Sequence, residues 1–95
     1  MKKPYLAIFG LPTPTREHIK IVEVIRTTSG GDFKQFPIPG GMGFMFMSEE
    51  LPWNISFSTI LLNTDTLLTV EMGANVSHRG YGAAEGWLNS HFPRQ

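Results

Sequence analysis

The stretch Gly40-Gly41-Met42-Gly43-Phe44-Met45-Phe46-Met47-Ser48 carries apolar or very small side chains at almost every position. Side chains alternate across a strand, so Met42, Phe44 and Phe46 share one face while Gly43, Met45 and Met47 share the other. A strand with a wet face alternates between apolar and polar residues. This one does not, which places it in the middle of a sheet and covered on both sides. The chain must supply two covers or borrow one from a partner.

Its 95 residues make a single domain, 1–95, with room for two packed layers and hardly for three. The second cover is therefore expected from another copy of the chain. Eight basic and eight acidic side chains cancel, which argues against a strongly electrostatic grip on nucleic acid or anionic lipid. The absence of cysteine excludes disulfides, thiolate metal sites and cysteine nucleophiles, and leans the expected location toward the cytoplasm. Lys2 and Lys3 precede the apolar run Tyr5 to Leu11, but Pro12 and Pro14 break it and no small-residue cleavage site follows. It reads as a first strand rather than an export signal, and no segment has the length of a membrane span.

Along the chain, Tyr5 to Gly10 is apolar on both faces and reads as a second central strand. Thr13-Pro14 caps a helix running to about Thr28, with Ile19, Ile21, Val22, Val24 and Ile25 as its apolar stripe. Ser29-Gly30-Gly31 ends it. Asp32 to Pro37 suits a short edge strand, and Ile38-Pro39-Gly40-Gly41 turns into the central strand. A short helix is expected from about Pro52 to Leu61, although Ile55, Phe57 and Thr59 also suit a strand. Thr66 to Gly73 alternates as a strand with Leu68, Val70 and Met72 inward and Leu67, Thr69 and Glu71 outward. From Ala83 to Phe92 the residues Ala84, Trp87, Leu88 and Phe92 fall at helical spacing, and Pro93 marks the stop. The expected fold class is α+β. Its order, β-α-β-β-α-β with an extra C-terminal helix, is the ferredoxin-like arrangement, whose four-stranded antiparallel sheet has the first and third strands in the middle.

Tyr5-Leu6 and the strand they open, the run Asn63 to Gly73, and Tyr81-Gly82 leading to Trp87-Leu88 and His91 resemble the small SinR-like proteins. Those are similar in turn to the CRISPR adaptation endonucleases and to virulence-associated protein D. The resemblance implies a ferredoxin-like fold, a homodimer built through sheets and, in the nuclease branch, metal-assisted cleavage of phosphodiesters. In that branch an Asp closes the first strand and is associated with the metal. The matching position here is Gly10. Two-metal phosphoryl chemistry needs converging carboxylates, so no catalytic or metal-ligating residue is assigned, and adjacent Glu49 and Glu50 read as a helix-start or solvated pair.

His18, His78 and His91 are too scattered to announce a metal site. Gly40-Gly41-Met42-Gly43 lacks the Lys and Ser/Thr of a phosphate loop and reads as a turn with close packing. Nothing in the sequence calls for a cofactor. The leading expectation is a cytoplasmic, non-enzymatic homodimer or protein-binding module whose interface is an outward sheet face formed by Ala7, Phe9, Gly43, Met45 and Met47. The alternative is a nucleic-acid-binding or metal-dependent nuclease relative of the adaptation endonucleases, with Arg26, Lys34, Trp53, Arg79 and Tyr81 as contacts. A third is a phage or mobile-element inhibitor of a host complex, which no residue selects.

Overall fold

Tyr5, Ala7 and Phe9 are buried at alternate positions of the first strand, and Leu6 and Ile8 between them are half-buried. That is the period-two signature of a strand whose two faces are unequally covered. The computed structural model describes residues 1–12, 19–50, 61, 64–73, 76–77, 79–82 and 84–92. Its elements run β1 (Lys3–Gly10), α1 (Ile19–Ser29), β2 (Phe33–Ile38), β3 (Gly41–Ser48), β4 (Thr66–Glu71) and α2 (Ala84–His91). The strands form one four-stranded antiparallel sheet in the order β2-β3-β1-β4, and the fold is α+β. β1 and β3 are central, as their doubly apolar faces require.

α1 lies on one face, with Ile21 and Ile25, one helical turn apart, packed against Tyr5, Ala7, Phe9, Met42, Phe44 and Phe46. Phe9 meets Phe44 edge to face at 5.7 Å, the arrangement that the ring quadrupoles favour. The helix closes in a Schellman motif. Gly31 N–H donates to the Arg26 carbonyl at 3.0 Å and Gly30 N–H to that of Thr27 at 3.4 Å, with Gly30 at φ 62°. Buried Ser48 holds the same end of α1, its hydroxyl 3.1 Å from that of Thr28 and accepting the Glu50 N–H at 3.0 Å. β2 and β3 are joined through Pro39 and Gly40; proline followed by a glycine at φ 74° is what a type II turn requires. Pro37 removes one backbone donor from β2, an outermost strand of the sheet.

The structure differs from the sequence expectation in its layers. α2 lies on the other face, where Ala84, Trp87, Leu88 and Phe92 pack with Phe36 and Met45. The chain thus covers β3 on both sides itself, in three layers, because an eight-residue helix needs little chain to close half a sheet. Two face assignments change with it. Register pairs Ala7 with Phe44 and Phe9 with Met42, so both lie under α1, 0% exposed, and not beside Met45. In β4, Leu67 pairs with Phe9 and points to the α1 side, while Leu68 and Val70 point to the opposite, open face. The helix expected over Pro52 to Leu61, apart from Leu61 itself, and the start of α1 at Thr13-Pro14 fall on positions 51–60 and 13–18, outside the described residues.

Candidate interaction surface

Antiparallel register sets side chains of paired residues on the same face, so the face opposite α1 is a grid of cross-sheet rows, two of which lie at its centre. One row runs Leu68, Ile8, Gly43, Phe36; the next runs Val70, Leu6, Met45, Lys34. α2 covers the β3 and β2 members, burying Met45 and Phe36; the β1 members Leu6 and Ile8 pack half-buried against the same cluster, and the β4 members Leu68 and Val70 are exposed. Leu68 is 62% exposed and Val70 39%, and Ile8 and Leu6 beside them are half-buried. Met47 and Met72, also half-buried, pack along the boundary of the covered half. Scattered exposed leucines need no explanation, but four apolar side chains adjoining in register form a contiguous patch.

Of the expected interface residues, only Met47 retains partial exposure. Ala7 and Phe9 belong to the α1 core, Met45 lies under α2, and Gly43 is buried beneath the Phe36 ring, where a Cβ would overlap the aromatic carbons. The residues exposed there instead, Leu68 and Val70 beside half-buried Leu6 and Ile8, escaped the sequence reading because the parities of both β1 and β4 relative to β3 were inverted.

A polar cluster fixes α2 in place. Asp32 follows the α1 cap, its N–H donating to the Ser29 carbonyl at 3.2 Å and its own carbonyl accepting from Met47 N–H at 3.0 Å. One carboxylate oxygen, Oδ1, accepts the Trp87 indole N–H at 2.9 Å and lies 3.2 Å from His91 Nε2. The Trp87 and His91 rings lie against each other at 4.2 Å between centroids. At the other end of α2, Tyr81 meets Phe36 edge-on at 5.2 Å. No spacing rule in the sequence announces this cluster, because Asp32 and His91 are 59 positions apart.

The residues considered for nucleic-acid contact do not share one surface. The Arg26 guanidinium sits 5.8 Å over the Phe33 ring on the α1 side, while Lys34 and Tyr81 belong to the opposite side. Arg79 is exposed in the segment before α2, and Trp53 lies outside the described residues, as do His18 and His78. At Gly10, where the nuclease branch carries Asp, a Cβ would run into the Thr66 hydroxyl, so the strand end is filled from β4. Glu49 lies 3.9 Å from the N-terminal ammonium, an exposed pairing of small energetic consequence. Among the described residues, no three His, Asp or Glu side chains converge as a metal-binding group, and no helix is long and apolar enough to cross a membrane. The chain matches no protein-family model, no curated protein and no solved structure.

Proposed function

We propose that this chain acts by protein contact, as a homodimer or as a docking module, through the open half of its sheet face. The observation that carries the reading is the exposure of Leu68 and Val70, which adjoin half-buried Leu6 and Ile8 in register, beside the part of the same face that α2 closes. Among the described residues β4 is also an outermost strand with a free backbone edge and no proline, so a partner has both side chains and main chain to engage. The strand order, with β1 and β3 central, supports reading the fold as ferredoxin-like.

Magnitudes make the contact modest. Covering Leu68 and Val70 in each of two copies contributes on the order of 1.5 to 3 kcal/mol per side chain at full exposure, less for the partly covered valine. Association costs roughly 4 to 15 kcal/mol. The patch alone therefore sustains a weak dimer, and a tight one needs the β4 backbone as well. Sedimentation velocity across a micromolar range tests this: wild type should show reversible, concentration-dependent self-association, and Leu68→Lys should abolish it. A monomer throughout, with no difference between the two proteins, would sink the dimer. Binding of the nucleic-acid alternative has no geometric support from Arg26 and Lys34, which the sheet separates.

A further inference from the structure

Resting on the reading of protein contact above, we propose that the partner is a second copy of this chain, joined edge to edge through β4 about a twofold axis at Thr69, so that the two sheets become one.

The backbone sets this register. Met72 N–H donates to the Pro4 carbonyl at 2.9 Å, one pair beyond Tyr5 and Glu71 in the β1–β4 ladder. Hydrogen-bonded and non-hydrogen-bonded pairs alternate along an antiparallel ladder, so Thr66, Leu68, Val70 and Met72 turn their N–H and C=O groups toward β1. Leu67, Thr69 and Glu71 turn theirs outward, along the free edge among the described residues. The far side of β1 agrees: Leu11 N–H donates to the Gly40 carbonyl at 2.8 Å, which aims the backbone groups of Tyr5, Ala7 and Phe9 at β3. An axis at Thr69 sets Thr69 opposite Thr69 of the second copy and Leu67 opposite its Glu71, so every outward residue of β4 enters a hydrogen-bonded pair. Shifting the axis to Leu68 brings Glu71 opposite Asp65 of the copy, acid against acid; shifting it to Val70 leaves Leu67 opposite Gly73, beyond the strand.

Side chains and charge favour the same register. Leu68 falls opposite Val70 of the second copy, twice, in the non-hydrogen-bonded pairs where side chains stand closest. These two are the exposed apolar residues of β4. The strand reads apolar in both directions from Thr69, the self-matching that a twofold contact demands of one surface. Glu71, the one charged residue of β4, is met by Lys3 of its own chain at 3.4 Å, and the axis holds the two Glu71 carboxylates at opposite ends of the ladder. Two paired strands of six residues bury less than the roughly 1,200 Å² of a standard interface, so the pair is weak and reversible.

Amide exchange of the full chain, resolved by NMR across a concentration series and read beside sedimentation velocity, tests the pairing. In dilute monomer the Leu67, Thr69 and Glu71 amides should exchange fast while those of Leu68, Val70 and Met72 are protected. Where nine-tenths is dimer the first three should slow about tenfold, in proportion to the monomer remaining. Single cysteines give a second readout in a chain that has none. A mixture of Leu68→Cys and Val70→Cys proteins should cross-link roughly fivefold faster than either alone, since such pairs hold their Cα atoms within disulfide reach. Self-association without protection of the outward amides and without the mixed preference would overturn the edge pairing and leave contact through the face standing. Outward amides that stay protected on dilution to monomer would show the edge already paired within one chain, and would overturn it too. A monomer at every concentration, its outward amides unprotected, would overturn the self-pairing together with the homodimer and leave the edge to an extended segment of another protein.

Discussion

The indole N–H of Trp87 donates to Asp32 across 55 positions of chain, at 2.9 Å. The bond joins the last helix to the turn that follows the first, so one carboxylate ties together layers on opposite sides of the sheet. Trp87→Phe keeps most of the ring and removes only the donor. We expect a loss of about 1 kcal/mol, a fall in Tm of roughly 4 to 8 °C for a domain of this size, measured by circular dichroism so that the missing indole does not confuse the signal.

The glycines of β3 and α2 should respond oppositely to a methyl group. Gly43→Ala places a Cβ into the Phe36 ring and forces it off its seat over the strand, with an expected cost of about 1 to 3 kcal/mol. Gly86 lies exposed inside α2 with no atom near its Cβ position. Gly86→Ala should stabilise by about 0.5 to 1 kcal/mol through helix propensity and a less flexible unfolded chain. Urea denaturation of the two variants checks the signs.

Phe9 and Leu68 are paired neighbours' neighbours in the sheet, yet they belong to opposite environments. Phe9→Ala should cost about 3 to 5 kcal/mol, enough to unfold a marginal domain. Leu68→Lys should change monomer stability by less than about 0.5 kcal/mol and act on association instead. If Phe9→Ala proved harmless and Leu68→Lys unfolded the chain, the two faces would be exchanged.

Gly30 occupies the left-handed position that closes α1. Gly30→Ala should destabilise by about 1 to 2 kcal/mol from backbone strain alone, while Gly30→Asn should recover part of that loss, since asparagine tolerates the conformation better. Thermal melts of the pair separate conformational strain from lost packing, because the site is exposed.

The strands were legible because their apolar runs are bounded by Pro and Gly, and the two-sided runs at Tyr5 to Gly10 and Met42 to Met47 identified the central pair. What could not be read was parity between strands. Ala7 and Phe9 look as ready to share a face with Met45 as with Phe44, and only the register, Ala7 opposite Phe44, decides. In β4 both Leu67 and Leu68 are apolar, so alternation alone leaves two orientations and composition favoured the wrong one. The second cover escaped notice because three apolar residues in an eight-residue helix, with Phe92 just after it, look insufficient as a layer, until Asp32 is seen to hold its far end. Gly43 was legible as close packing but not as the seat of Phe36.

Pro37 gives the sheet unequal ends. β2 and β4 both lie outermost, but β2 has lost a donor to proline and carries exposed Lys34, while Thr66 to Glu71 in β4 has no proline. A chain able to add strands at both ends propagates without limit; one able to add at a single end does not. If two copies met β4 to β4 about a twofold axis, each would use the one proline-free outer strand among its described residues, and such an assembly would end as a discrete pair rather than a fibre.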